Sequence, residues 1–157
     1  MRNNSIKIRR FKKSDDEAIN RLLMRVFSKY NAKEVSQKGM EFFRDKYSKK
    51  NIQDMWGKND YVLVVEKDTR LIGIGRAKKD GWISHLYIIG NHMRKGVGQA
   101  LMKKMESWFR RNNIKYSKLN SSLFALEFYE KFGYKKTTLK RKVYHGIPMY
   151  SMRKRLI

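Results

Sequence analysis

The first half of the chain alternates between short β-type runs and longer segments with helical periodicity. Residues 6–10 (IKIRR) alternate polar and apolar side chains and predict a first strand. The runs 61–67 (YVLVVEK) and 71–77 (LIGIGRA) are separated by a three-residue turn and predict a β-hairpin. Residues 82–89 (WISHLYII) follow a second turn and predict the next strand of an antiparallel meander.

Two segments before the hairpin show helical spacing. Ser14 and Glu17 have the spacing of a capping box and precede six apolar residues at helical intervals. These six are Ile19, Leu22, Leu23, Val26, Phe27 and Tyr30. A second helix is predicted within residues 36–48, and residues 49–60 are polar and predict a loop.

The second half of the chain continues in the same way. A helix is predicted from the glycines near residue 98 to Asn112, a strand over residues 114–119, and a helix through residues 123–132. Residues 134–144 and 149–156 predict two closing strands around a turn. The order β-α-α-β-β-β-α-β-α-β-β predicts an α+β fold. We expect a mixed, mostly antiparallel central sheet of about six to seven strands, flanked by about four helices.

Composition narrows the class of protein. No linker or repeat interrupts the chain, so we expect a single domain over residues 1–157. The chain has no cysteine, which excludes disulfides, thiolate metal sites and a cysteine nucleophile. Because no metal-ligand spacing appears either, we expect no metal. No apolar run is long enough to span a membrane, and the N-terminus (MRNNSIKIRR) lacks the apolar core of a signal peptide. The cytoplasm is the expected compartment.

The charge is the most unusual feature of the composition. The chain carries 38 Lys and Arg against 14 Asp and Glu, a formal net charge of +24. Such a charge attracts polyanions, but the cations are scattered along the whole chain, as they would be on an evenly solvated surface. Since no readout motif for nucleic acid is present, we expect at most weak, nonspecific nucleic-acid binding.

Arg94-Lys95-Gly96-Val97-Gly98 stands between a predicted strand and a predicted helix. Backbone N–H groups at a helix N-terminus are unpaired donors, and glycine lets a ligand approach the backbone closely. With the two cations, the stretch predicts a pyrophosphate cradle. A tight strand-to-helix turn would also use glycine, so the motif alone leaves both interpretations open. The Walker A pattern is absent, and so is the dinucleotide-binding pattern G-x-G-x-x-G.

Two segments together resemble the GNAT superfamily of N-acetyltransferases. Residues 93–98 (MRKGVG) are similar to the family's acyl-CoA loop Q/R-x-x-G-x-G/A, with Met93 in place of the polar first residue. Downstream, Asn120-Ser121-Ser122 is followed by residues 125–134 (ALEFYEKFGY), which resemble the family pattern A-x-x-F-Y-x-x-x-G-F/Y. The resemblance extends over roughly residues 6 to 154, because the order of elements also matches.

The resemblance implies an acetyl-CoA-dependent N-acetyltransferase in which an amine attacks the thioester directly in a ternary complex. Acetyl-CoA is then the cosubstrate, and the backbone of the fourth strand pairs with its pantetheine arm. The implied cofactor-binding residues are Tyr87, Ile88, Ile89, Arg94, Lys95, Gly96, Val97, Gly98, Gln99, Asn120 and Tyr129. Ile88 is the expected oxyanion donor and Tyr129 the expected acid for the leaving thiolate. Tyr129 has an alternative interpretation, as a packing residue beside Phe128 and Phe132.

The resemblance does not identify a general base. Many relatives carry Glu or His where this chain has Ser84, which is too weak a base. The adjacent His85 has suitable chemistry, but strand alternation directs it to the opposite face unless a β-bulge intervenes. Deprotonation by solvent near Ser84 is the alternative.

The amine acceptor and the assembly remain open at this stage. The acceptor is an unidentified small molecule or protein, and the chain is expected to be a monomer or a homodimer without a membrane partner. Five aromatic residues are candidates for the acceptor pocket or for the core: Phe42, Phe43, Trp56, Tyr144 and Tyr150. The competing function is a non-catalytic basic module that binds CoA or RNA on the same fold.

Overall fold

The computed structural model describes residues 5–157, except the side chain of Met55. Residues 1–4, part of the stretch in which we expect no signal peptide, lie outside the described residues. The strands are β1 (Lys7–Arg10), β2 (Asp60–Lys67), β3 (Arg70–Lys78), β4 (Trp82–Ile88), β5 (Tyr116–Ser121), β6 (Lys135–Lys136), β7 (Lys142–Tyr144) and β8 (Ile147–Arg155). The helices are α1 (Asp16–Tyr30), α2 (Gln37–Lys46), α3 (Lys49–Met55), α4 (Val97–Arg111) and α5 (Leu126–Lys131).

The strands form one mixed sheet in the order β1-β2-β3-β4-β5-β8-β6, with β7 paired to β8. Of the strand pairs between residues 5 and 157, β4–β5 alone is parallel. The predicted α+β class, with its mostly antiparallel central sheet, is therefore confirmed. The parallel pair follows from the connection: α4 carries the chain back across the sheet between β4 and β5, as a crossover between parallel strands requires.

Each face of the sheet has its own apolar core. On one face, α4 packs Leu101, Met102, Met105 and Phe109 against the sheet, and each of these side chains is fully buried. On the other face, α1 and α3 bury Ile19, Leu23 and Ile52 together with Phe43 of α2. The alternation of the strands supplies both cores, since Leu63 and Val65 face α4 while Val62 and Val64 face α1.

Three local predictions were wrong. The loop expected over residues 49–60 contains α3, whose first turn is capped when Ser48 Oγ accepts from Asn51 N–H. The segment has too few apolar residues to show helical periodicity, and α3 is stabilised by burial of Ile52 against the sheet. The strand expected over residues 134–144 is broken into β6 and β7, so that eight strands are described where six to seven were expected.

The third error concerns the start of α1. Residues 13–15 form a 3₁₀ turn, which places Ser14 inside the turn and makes Asp15 the N-cap. The capping box of Ser14 and Glu17 therefore does not form. The Asp15 carboxylate instead accepts from the Arg9 guanidinium at 2.8 and 2.9 Å and ties the start of α1 to β1.

Candidate active site

A gap between β4 and β5 is the main feature of the sheet. The two strands pair at only two positions, Trp82 with Lys118 and Ile83 with Leu119. Beyond these pairs β4 continues to Ile88 alongside β3, whereas β5 pairs with β8 and diverges from β4. At the open end, Tyr30 of α1 stacks on Phe124 of the loop after β5, with 4.6 Å between ring centroids. The sheet is therefore split along residues 84–88, which make up most of β4.

The backbone of β4 directs peptide groups into this gap. The Ile89 N–H donates to Ile72 O at 2.9 Å, so the odd-numbered residues here pair with β3. In an antiparallel ladder, the peptide groups of the residues between them point the other way. The N–H and C=O groups of Leu86 and Ile88 consequently face the gap. Among the residues predicted to pair with pantetheine, Ile88 is thus the one whose peptide is available, and Leu86 is a position that the sequence analysis missed.

The N-terminus of α4 lies just beyond the end of β4. Gly96 is its N-cap with a left-handed backbone (φ 81°), and Arg94 is also left-handed (φ 57°). No side chain caps the helix, and its first turn holds no acidic residue. The N–H groups of Val97, Gly98 and Gln99, which precede the first intrahelical bond from Ala100 N–H to Gly96 O, are therefore unpaired donors. With Arg94 and Lys95 exposed beside them, this turn is suited to an anion.

The two glycines of the loop have different reasons for being glycine. A Cβ atom at Gly96 would meet nothing within 4 Å, so the left-handed φ is what favours glycine there. A Cβ atom at Gly98 would lie 3.3 Å from Phe128 Cζ of α5. Gly98 is therefore small because α5 packs closely against α4. Met93, the unusual first residue of the loop, is half-buried against both apolar cores.

Tyr129 projects from α5 and is only 6% exposed. Burial raises the pKa of its phenol above 10, and no hydrogen bond or charge contributes to that shift. The hydroxyl of Tyr134 differs, because it donates to the buried Glu106 carboxylate at 3.0 Å and accepts from Ser117 at 2.7 Å. Burial, followed by the charges of Tyr47 and Tyr129, raises the pKa of Tyr87 on β4. The Tyr129 phenol is therefore protonated, and its hydroxyl makes no hydrogen bond to a side chain of the described residues.

Ser84 and His85 form a β-bulge, so their side chains meet despite the expected alternation. Arg76 of β3 pairs with His85 and Ala77 pairs with Ile83, which leaves Ser84 as the extra residue. Ser84 Oγ lies 3.0 Å from His85 Nδ1 and donates to Arg76 O at 3.4 Å. If His85 Nδ1–H donates to the Ser84 hydroxyl and that hydroxyl donates to Arg76 O, the His85 ring carries its lone pair on Nε2. That nitrogen is buried and has no hydrogen-bond partner among the described residues.

The surroundings of His85 are aromatic and positively charged. Its ring lies 4.9 Å from that of Tyr47 and 5.0 Å from that of Trp56. Burial, followed by the charges of Arg76, Lys46 and Lys78, lowers the pKa of His85 well below 6.5. His85 is therefore neutral at neutral pH but a weak base. The sequence analysis missed these three cations, although Arg76 and Lys78 stand two residues apart on β3 and thus share a face.

Four of the five aromatic candidates for an acceptor pocket separate into two groups. Phe43 and Trp56 are core residues, 4% and 2% exposed. Phe42 of α2 packs edge-on against Tyr144 and stacks on His145, with centroid distances of 5.8 and 4.1 Å. The β7–β8 turn thus closes over α2, where the Ser36 N–H donates to Gly146 O.

Two further residues of β5 and β8 lie near the other wall of the gap. Asn120 is exposed, and its carbonyl oxygen accepts from Ser151 Oγ at 3.0 Å, which leaves its amide N–H groups available. Tyr150 is half-buried beneath the Lys136 ammonium, 4.7 Å from the ring centroid. Asn120 is thus on the side of the gap that the resemblance implies, whereas Tyr150 contacts Lys136, which lines a separate basic surface.

That surface is a groove of about 750 Å³ along β5, β6 and β8, which we call the basic groove. Its lining residues are Tyr116, Gly133, Lys135, Lys136, Thr137, Arg153, Lys154 and Arg155. Lys154 is neutralised by Glu106, but the other four cations have no Asp or Glu carboxylate within 4.0 Å among residues 5–157. The groove therefore concentrates part of the net charge.

Neither a metal-binding cluster nor a membrane-spanning helix occurs among the described residues. They contain no group of three or more His, Asp or Glu side chains arranged to hold a metal ion. Within residues 5–157 no helix has both the length and the apolar character needed to cross a bilayer.

Comparison with known proteins gives a consistent family. Residues 31–156 match the family model described as an acetyltransferase (GNAT) domain. An uncharacterised N-acetyltransferase of Bacillus subtilis is 26% identical over 110 residues, which is 68% of this chain and 78% of that protein. The PaiA N-acetyltransferase of Thermoplasma acidophilum, solved in complex with coenzyme A, has a TM-score of 0.79 at 22% identity and covers 96% of this chain and 99% of its own. A GCN5-related N-acetyltransferase of Rhodopseudomonas palustris has a TM-score of 0.84 at 16% identity, and the match covers 99% of this chain and 98% of that protein.

Proposed function

Because the chain belongs to the GNAT acetyltransferase family, we propose that it transfers an acetyl group from acetyl-CoA to a primary amine by direct attack in a ternary complex. The observation that carries the proposal is the gap between β4 and β5, with the uncapped N-terminus of α4 at its end. The gap suits an extended arm with amide groups, and the helix terminus suits a pyrophosphate. Both occur in coenzyme A, with which the related Thermoplasma protein was solved.

The cosubstrate is bound in two parts. The pantetheine arm runs along β4 and exchanges hydrogen bonds with the peptide groups of Leu86 and Ile88. The pyrophosphate accepts from the N–H groups of residues 97–99, and Arg94 and Lys95 add charge. The free amide of Asn120 donates to the arm from the opposite wall.

The reaction then needs two stabilising groups. The amine nitrogen attacks the thioester carbon, and the carbonyl oxygen becomes an oxyanion that accepts from the Ile88 N–H. The carbon–sulfur bond breaks, and the thiolate leaves toward Tyr129. Since a thiol has a pKa of about 8.5, a phenol with a pKa above 10 does not give up its proton completely. Tyr129 therefore stabilises the thiolate by donating a hydrogen bond, and the proton from the attacking amine ends on sulfur.

The deprotonation step uses Ser84 and His85 as a pair. Ser84 fixes His85 as the tautomer with its lone pair on Nε2, and burial keeps the ring neutral. A base of such low pKa removes a proton efficiently only from an amine whose own pKa is depressed. The amine therefore has to enter a site that disfavours its cationic form.

Release of free thiol from acetyl-CoA in the presence of an amine panel tests the proposed function. We expect steady release above hydrolysis with at least one amine, and mass spectrometry should find an added acetyl group on that amine. A folded protein that binds acetyl-CoA but releases no thiol with any amine would instead be the non-catalytic basic module.

A further inference from the structure

The acceptor side of the site contains an unneutralised lysine. Lys46, the last residue of α2, is half-buried, and its ammonium has no carboxylate within 4.0 Å among residues 5–157. Three aromatic rings surround it, with Nζ 5.5 Å from the centroid of Phe42, 5.6 Å from that of Tyr47 and 6.0 Å from that of Tyr144. The rings hold the ammonium in place through cation–π contacts and leave its hydrogen-bond donors for another partner.

The neighbouring charges reinforce this positive site. Burial, followed by the charges of Lys78 and Arg76, lowers the pKa of Lys46, and no acidic group offsets them. Arg76 is bound to Asp60, with 2.7 Å from Nε to Oδ2, and the Asp60 carboxylate is used by that pair. Three cations and one carboxylate thus surround the buried His85. A second cation entering here would be repelled, because charges in a partly buried site interact strongly.

We propose, on the basis of the proposed function, that the acceptor is an amine bearing an acidic group, a carboxylate or a phosphate, and that Lys46 binds that group. The ammonium donates to the anionic oxygens and positions the amine near His85. The same field favours the neutral form of the amine, which is the nucleophile, so a weak buried base is sufficient. Polycationic acceptors such as polyamines are excluded by the same charges.

Matched amines of equal length test the acidic group. 5-Aminopentanoate, pentylamine and cadaverine differ only in carrying a carboxylate, no charge or a second ammonium at the far end. Phosphoethanolamine and ethanolamine form the corresponding pair for a phosphate. We expect at least about 10-fold higher kcat/KM for an acid-bearing amine than for its neutral partner, as charge-assisted hydrogen bonds are strong, and the lowest kcat/KM for cadaverine. The better of the two acids identifies which anion is bound.

Variants of Lys46 test the residue. Lys46→Gln should raise KM for the acid-bearing amine about 10-fold and abolish its preference over pentylamine, whereas Lys46→Arg should retain the preference. Lys46→Glu should reverse the preference toward cadaverine. Lys50→Gln on α3, an exposed lysine close in sequence, is the matched control and should behave as wild type.

The outcomes separate this inference from the proposed function. Preferential acetylation of cadaverine, or an unchanged preference in Lys46→Gln, would overturn the inference and leave the acetyltransferase intact. An absence of thiol release with every amine, in a protein that binds acetyl-CoA, would overturn both.

Discussion

Gly96 gives the sharpest test of the cosubstrate site, because the structure separates charge from shape there. Its left-handed backbone is one that Asn and Asp tolerate better than other residues, and an added Cβ meets nothing within 4 Å. Gly96→Asn and Gly96→Asp therefore introduce nearly the same side chain with and without a negative charge. Both should lose about 1 kcal/mol of stability through backbone strain, and their melting temperatures should agree. Gly98 offers no such pair, since any side chain there contacts Phe128.

The expected difference follows from Coulomb's law. Gly96 is exposed, so we take an effective dielectric constant of about 60, between the values for water and for a protein surface, and we place the two phosphates of a pyrophosphate on the first turn of α4 roughly 5 and 8 Å from a carboxylate at this position. The repulsion then totals about 2 kcal/mol, which corresponds to roughly 30-fold weaker binding of acetyl-CoA to Gly96→Asp than to Gly96→Asn. The ratio should shrink as salt is added, because the charges are screened.

Calorimetric titration with acetyl-CoA at low and high salt measures this ratio. Pantetheine, which lacks the pyrophosphate, is the matched ligand and should bind both variants equally. Equal acetyl-CoA affinity of two folded variants would refute the placement of the pyrophosphate at α4. If Gly96→Asp binds pantetheine more weakly than Gly96→Asn by the same factor as it does acetyl-CoA, the side chain disturbs binding of the pantetheine arm and not of the phosphates.

The remaining predictions concern Tyr129, the buried histidine and the net charge. Tyr129→Phe removes the hydrogen bond to the thiolate and should lower kcat by about 100-fold or more while acetyl-CoA affinity holds. Tyr134→Phe, which breaks the buried contacts to Glu106 and Ser117, should instead lower the free energy of unfolding by about 1–2 kcal/mol and leave kcat unchanged. Steady-state kinetics and urea unfolding distinguish the two variants, and a wild-type kcat in Tyr129→Phe would mean that Tyr129 only packs. Because the pKa of His85 is lowered, the unfolded chain binds a proton below pH 6.5 that the folded protein does not. The free energy of unfolding should therefore fall below pH 6.5, by up to about 1.4 kcal/mol per pH unit, and keep its full value above it. Urea unfolding between pH 7.5 and 5.5 should show a weaker dependence of this free energy on pH in His85→Phe than in wild type, and an identical dependence would contradict the lowered pKa. RNA and DNA should be retained on filters at low salt without sequence preference and released near physiological salt, as phosphate contacts in the basic groove imply; tight retention of one RNA at physiological salt would instead indicate a nucleic-acid-linked acceptor.

The sequence predicted the elements whose signal is local. The periodicity of α4 and the strand–glycine–helix junction predicted where that helix begins, because helix termini and turns depend on neighbouring residues. The bulge at Ser84 was not predictable, since it depends on the register of β4 against β3. The same holds for α3, whose few apolar residues are stabilised by the sheet beneath them, and for Gly98, whose size is set by Phe128 about thirty positions away in the chain.

The positive site around Lys46 shows a different limit. Its three cations come from α2 and β3, and nothing in their local sequence distinguishes them from the many other cations of this chain. What distinguishes Lys46 is partial burial among aromatic rings with no counter-ion in the part of the chain that the structure describes, which only the tertiary structure reveals. In a protein of net charge +24, the number of cations therefore says less about function than the few cations that are partly buried.

The split between β4 and β5 makes most of β4 an edge strand that lies in the middle of a sheet. Unpaired strand edges at a protein's surface invite pairing with other chains, and proteins usually blunt them with charges, proline or short length. Residues 84–88 carry none of these devices, and this edge instead lies between the helices that cover the two faces of the sheet. Helices on both faces leave this edge open only within the plane of the sheet, which is the direction from which an extended chain pairs with a strand.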